Sequence, residues 1–226
     1  MKCRLWVLAG GVVAALSLAI PMANAALFIG LQQDAGPITT VASNAGGVAV
    51  FNGSFGEFET VVVSGTGQPA ALPPTLLQGT VSVNNSAGAP DAGTLKIYIT
   101  STGNTSMVGL VDFTSGFAPV NLFPGWTETF QTYVDPANGQ YALTTLLSEA
   151  TFTSTGGEVD MKTANAGAGP YSVTAVITFV APSFGGAVKS VALNGEVTAI
   201  PEPGSLALLG AALAALGIVS RRRRKT

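Results

Sequence analysis

Residues 26–200 predict an all-β fold, a single antiparallel β-sandwich, and three observations support this. Apolar and polar residues alternate with a period of two in many short runs. Turn-forming residues recur about every ten positions, and no twelve-residue window holds a helical period. The stretch is dominated by Gly, Pro, Thr, Ser, Val and Phe, which favour strands and turns over helix. About ten short strands in one domain suit either a jelly-roll or an immunoglobulin-like sandwich. No internal repeat at a fixed period is present, which disfavours a propeller or a solenoid.

The chain opens with basic Lys2 and Arg4. Leu5 to Ile20 follow as an apolar stretch interrupted only by Gly10, Gly11 and Ser17, and Pro21 with Ala23-Asn24-Ala25 closes it. This three-part pattern predicts a signal peptide over residues 1–25, with Ala23 and Ala25 as the small residues that signal peptidase reads. Cys3 precedes the apolar stretch, so it leaves with the signal and is no lipidation site.

Strand candidates then run Leu27–Leu31, Val48–Phe51, Phe58–Ser64 and Thr80–Val83. Leu95, Ile97 and Ile99 alternate with Lys96, Tyr98 and Thr100, the pattern of a half-buried strand. Met107–Phe113, Trp126–Val134 and Tyr141–Phe152 come next. Tyr171, Val173, Ala175, Ile177 and Phe179 alternate most cleanly, and Ala187–Val197 completes the series. "FNGSFG" (Phe51–Gly56) and "DPANGQ" (Asp135–Gln140) carry residues that hairpin turns use. Gly65–Thr75, Asn84–Gly93 and Thr163–Gly169 read as loops or connectors.

The chain ends in Pro201-Glu202-Pro203, an apolar run from Leu206 to Val219, and Arg221 to Lys225. Fourteen helical residues reach about 21 Å, short of the roughly 30 Å hydrocarbon core. The basic cluster stays on the cytoplasmic side, so the segment is a marginal membrane helix holding an exported passenger outside. In full order and position, residues 201–226 resemble the PEP-CTERM sorting signal of Gram-negative bacteria. The resemblance implies recognition through Pro201, Glu202 and Pro203, retention through Arg221, Arg222, Arg223 and Arg224, and hand-over to exosortase. The protein would then be transiently anchored in the inner membrane before delivery to the cell surface or extracellular matrix. "FNGSFGEF", "QTYVDPANG" and "GPYSVTAVITF" are similar, more loosely, to other PEP-CTERM passengers, β-rich secreted domains.

The passenger has three lysines, no arginine and eleven carboxylates, a net charge of −8. Such a surface repels phosphate backbones and predicts no nucleic-acid partner. It contains neither histidine nor cysteine, which removes the familiar nucleophile–base triads and ordinary zinc sites. The remaining chemistry is oxygen-based. Glu57 and Glu59, two residues apart, would share a strand face about 6.6–6.8 Å apart, near the spacing of an inverting glycosidase. Glu158 and Asp160, joined by Lys162 and opposed by Val159 and Met161, read as a solvated strand face. Asp34, Asp91, Asp112 and Asp135 lie in or beside loops and could ligate a structural calcium, although none begins an EF-hand series.

Sugar rings stack on exposed aromatic faces. Trp126, Tyr98, Tyr133 and Tyr141 are the candidates, with Tyr133 and Tyr141 flanking the "DPANGQ" turn. The resemblance of the tail implies a structural or adhesive surface protein associated with exopolysaccharide or biofilm, and neither an enzyme nor a cofactor is expected. A carbohydrate-binding module is the alternative, and a secreted hydrolase using carboxylates is a weaker one.

Overall fold

The computed structural model describes residues 25–71, 74–85, 93–181 and 190–200. These residues form twelve strands and no helix. The strands are β1 (Ala26–Gln33), β2 (Thr39–Asn44), β3 (Val48–Phe55), β4 (Phe58–Gly67), β5 (Thr75–Asn85) and β6 (Gly93–Asn104), then β7 (Leu110–Asn121), β8 (Thr127–Asp135), β9 (Thr145–Phe152), β10 (Glu158–Asn165), β11 (Tyr171–Ala181) and β12 (Ser190–Ile200). The first sheet has the order β2-β1-β6-β11-β8-β9 and the second β10-β7-β12-β5-β4-β3. Every pairing is antiparallel.

The all-β sandwich is therefore as the sequence predicts, and the strand order decides its winding. The chain changes sheet at seven of its eleven connections, and only β1–β2, β3–β4, β4–β5 and β8–β9 are neighbours within a sheet. Repeated crossing between the two sheets is jelly-roll winding, which sets aside the immunoglobulin-like alternative.

The inner faces follow from the period-two pattern. Leu27, Ile29 and Leu31 of β1, Leu95, Ile97 and Ile99 of β6, and Val173, Ala175, Ile177 and Phe179 of β11 point into the sandwich. They meet Val61 and Val63 of β4, Val81 and Val83 of β5, Phe113 and Phe117 of β7, and Val191, Leu193 and Val197 of β12. Across the second sheet, Gly65, Gly79 and Gly195 lie side by side in register. A Cβ on Gly79 would lie 2.7 Å from the Ile99 side chain, and one on Gly195 would lie 2.5 Å from the Phe130 ring. The row thus exists because Ile99 and Phe130 of the opposite sheet occupy the space that side chains would need. Phe130 continues onto Phe117, with ring centroids 4.1 Å apart.

Several expected boundaries move, for local reasons. Met107 and Gly109 adopt left-handed φ values of 57° and 84°, so the Met107–Phe113 strand begins only at Leu110 and runs on to Asn121. Tyr141 has φ 55°, and β9 therefore starts at Thr145. The "FNGSFG" turn lies later, at Gly56–Glu57, with Phe55 paired to Phe58. "DPANGQ" opens a nine-residue connection, residues 136–144, instead of a tight hairpin. β2 is a strand outside the predicted set, while β10 contains the expected Glu158–Lys162 strand face and runs on through the first part of the expected Thr163–Gly169 connector. Both lie at sheet edges, where one side of the ladder stays unpaired and no apolar stripe is required.

Candidate functional site

The two outer faces of the sandwich are built differently. On the first sheet, the connection from β8 to β9 folds back over β11, β6, β1 and β2 as a strap. Asp135 starts it: its carboxylate accepts hydrogen bonds from the N–H of Gly139 (2.7 Å), the Thr144 hydroxyl (2.8 Å) and the N–H of Ala137 (3.3 Å). Burial raises the Asp135 pKa, but these three donors outweigh it and hold the carboxyl below its ordinary range. Further along, Asn138 Oδ1 accepts from the N–H of Gly103, and Ser172 Oγ donates to the Gly139 carbonyl. Gln140 and Tyr141 both donate to Thr40 Oγ1 of β2. The Tyr141 ring rests over Gly30, where a Cβ would lie 2.7 Å away, and its centroid is 5.7 Å from that of Tyr98.

This strap accounts for the tyrosines. Tyr98 is only 4% exposed and donates to Gln32 Oε1 at 2.7 Å, while Thr100 and Thr174 beside it are fully buried and bonded to each other. Burial raises the Tyr98 pKa, with a smaller contribution from Tyr133; burial and then Glu149 do the same for Tyr133. Tyr141 and Tyr133 are half-buried. Of the four expected stacking residues, the structure thus gathers Tyr98, Tyr133 and Tyr141 around one strap, where Tyr98 and Tyr141 act as its clamp. Trp126 is corrected outright: it is 1% exposed, packed in the core, and has no ring face to offer a sugar.

The expected Glu57–Glu59 pair and the expected calcium ligands do not converge. Glu57 lies in the β3–β4 turn and Glu59 where the β4 register shifts, so the expected pair on one strand face is absent. Asp34 accepts from the N–H of Thr94, Asp112 from the Thr163 hydroxyl, and Asp135 serves the strap. Asp91 lies outside the described residues, as do Ala23, Pro201, Glu202, Pro203, Arg221, Arg222, Arg223 and Arg224. Among the described residues no three potential ligands cluster. Glu158, Asp160 and Lys162 lie on edge strand β10, with Lys162 Nζ donating to the Leu146 carbonyl of the other sheet.

One carboxyl escaped sequence reasoning. Glu128 points inward from β8, fully buried, and both its oxygens lack a hydrogen-bond partner. Desolvation raises its pKa to about 8, so it is neutral across most of the physiological range. Its position two residues before Phe130 in an alternating strand was the available signal, because the inward register of Phe130 places Glu128 inside too.

Among the described residues, no segment straps the second sheet's outer face. A cleft of about 470 Å³ lies across β10, β7, β12 and β5, and a polar extension of about 210 Å³ continues over β5 and β4. Its floor is low where Gly116 and Ala118 of β7 face outward, and its walls bear Gln78, Thr80, Asn194, Glu196 and Glu158. Thr80 Oγ1 donates to Asn194 Oδ1 and Thr75 Oγ1 to Glu196 Oε1, both at 3.0 Å, which fixes two of the wall side chains.

Residues 199–224 match the PEP-CTERM protein-sorting motif. The chain therefore carries a PEP-CTERM signal, which implies exosortase processing and export with membrane-associated sorting. No curated protein matches the sequence. Among solved structures, modules of the Clostridium thermocellum endo-1,4-β-D-xylanase 10B are similar at 13% identity and TM-score 0.36, covering 68% of this chain and 26% of that one. The K1 cleaved adhesin domain of Lys-gingipain from Porphyromonas gingivalis W83 is similar at 14% identity and TM-score 0.33, covering 62% and 84%. The adhesin domain of Epf from Streptococcus pyogenes follows at 9% identity and TM-score 0.34, covering 78% and 60%.

Proposed function

We propose that this chain is a non-catalytic structural or adhesive protein of the cell surface or extracellular matrix, delivered by exosortase-type processing and associated with exopolysaccharide or biofilm. The observation that carries the reading is the position of the sorting motif relative to the fold. β12 is an interior strand, paired on one side with β7 and on the other with β5, and it ends at Ile200. The Pro201-Glu202-Pro203 segment follows immediately. A cut there removes no strand, so the sandwich keeps its core after its anchor is gone.

A non-catalytic role is supported by the separate duties of Asp34, Asp112 and Asp135, which bond to Thr94, Thr163 and the strap. A passenger with few cations and a hydroxyl-rich surface suits contact with polysaccharide better than with nucleic acid. Replacing Pro201 and Pro203 with alanine tests the reading. Uncut precursor should accumulate in the inner membrane; processing at the wild-type rate would argue against it.

A further inference from the structure

We propose that the outer cleft of the second sheet binds a neutral, hydroxyl-rich glycan chain laid across the strands. Register places two parallel rows of outward side chains there. One runs Gly116–Glu196–Gln78–Thr66 and the other Ala118–Asn194–Thr80–Ser64. Strands are about 4.8 Å apart and outward neighbours on one strand about 6.6–6.8 Å apart, so the rows form a track about two side chains wide that crosses four strands. The glycine row behind it lets this sheet lie close upon Ile99 and Phe130.

The lining selects the ligand class. Amides and hydroxyls both donate and accept, matching sugar hydroxyls, and Thr80 occupies the Asn194 oxygen so that the amide's N–H donors face the track. Among the described lining residues of the cleft, Glu196 and Glu158 carry charge and no cation is present. Uronate, sulfate and phosphate polymers are therefore repelled, while the carboxylates accept hydrogen bonds from neutral hydroxyls. The cleft is long and open, so it suits a polymer better than an enclosed small molecule. An apolar peptide would need deep hydrophobic pockets; beside the small Ala118 of the floor, Val159 on the rim is the one large exposed apolar side chain among the described lining residues.

This inference rests on surface delivery of the sandwich, but its test does not. The full chain, solubilised in detergent, is run through native gels holding dextran, galactomannan, mixed-linkage β-glucan or alginate. At least one neutral polymer should retard it, with a mobility change of about threefold or more, and alginate should not. The Gln78→Ala/Asn194→Ala double variant and the filled-floor variant Ala118→Trp should each run as in a plain gel, while Tyr133→Ala should be retarded as the wild type is. Three outcomes overturn the proposal: no retardation by any neutral polymer, undiminished retardation of both cleft variants, or loss through Tyr133→Ala alone. A failed sorting signal would instead leave uncut membrane precursor and would not alter these gels.

Discussion

The two outer faces of the sandwich begin from the same alternating pattern and end in opposite states. On the first sheet, the outward residues Tyr98, Thr100, Ser172 and Thr174 are buried, because the residue 136–144 strap covers them. On the second sheet, the outward residues Gln78, Thr80 and Asn194 are exposed beside a cleft. A polar outward row therefore does not by itself identify a binding face. The strap turns hydroxyls and tyrosines into internal fastenings, while the unstrapped face keeps its hydrogen-bonding groups available.

The largest effect should come from filling the glycine row behind the open face. Gly195→Val places methyl groups into the Phe130 ring and should cost about 3 kcal/mol or more, beyond ordinary overpacking because the obstacle is a packed ring. Thermal unfolding measures it, and Ala118→Val on the outside of the same sheet, as control, should shift stability by less than about 0.5 kcal/mol.

Glu128 should dominate the pH dependence. Its folded-state pKa of about 8 lies above its ordinary value of 4.5, so the unfolded chain gives up the proton first as pH rises. Stability therefore falls progressively from about pH 4.5 to about pH 8 and levels off above that, by a total on the order of a few kcal/mol. Urea unfolding at pH 5 and pH 8.5 reads this difference, and Glu128→Gln should flatten the slope. Unchanged stability over that range would show that the carboxyl is not desolvated.

Asp135 sharpens the contrast from the strap's side. Its carboxyl is held below the ordinary 3.8, so its contribution is present above that pH and is lost as pH falls below it. Asp135→Ala removes the acceptor for three donors and should cost about 2 kcal/mol. Hydrogen exchange should rise first in residues 136–144. The smallest effect is expected from Tyr141→Phe, which loses one hydrogen bond to Thr40 while keeping the ring over Gly30, at about 0.5–1 kcal/mol. If Tyr141→Phe instead equalled Asp135→Ala, the clamp would be the hydroxyl and not the ring.

Much of this was legible in the sequence. The alternation of Tyr171 to Phe179 and of Leu95 to Thr100 reads directly as half-buried strands, because a two-residue period has one structural meaning when one face is buried. Edge strand β2 was hidden because its sides need not be apolar, whereas the alternation of Glu158, Asp160 and Lys162 marked β10 without showing that it runs on to Asn165. The strap was hidden for a different reason: Asp135, Asn138 and Gly139 are ordinary turn residues, and only the fold shows that their partners are Gly103, Thr144 and Ser172. Trp126 and Tyr98 carry the same composition whether they face a ligand or the core. The cleft was illegible because its rows join residues more than a hundred positions apart, such as Thr80 and Asn194.

Both faces matter for function only if the sandwich reaches the outside and leaves its anchor, so the intact mass of the protein recovered from the outer surface and the medium is the most direct test. The expected mass corresponds to residues 26 to about 200, with or without an attached group. A mass that still contains Leu206 to Thr226 would contradict it and leave a plain membrane-anchored sandwich.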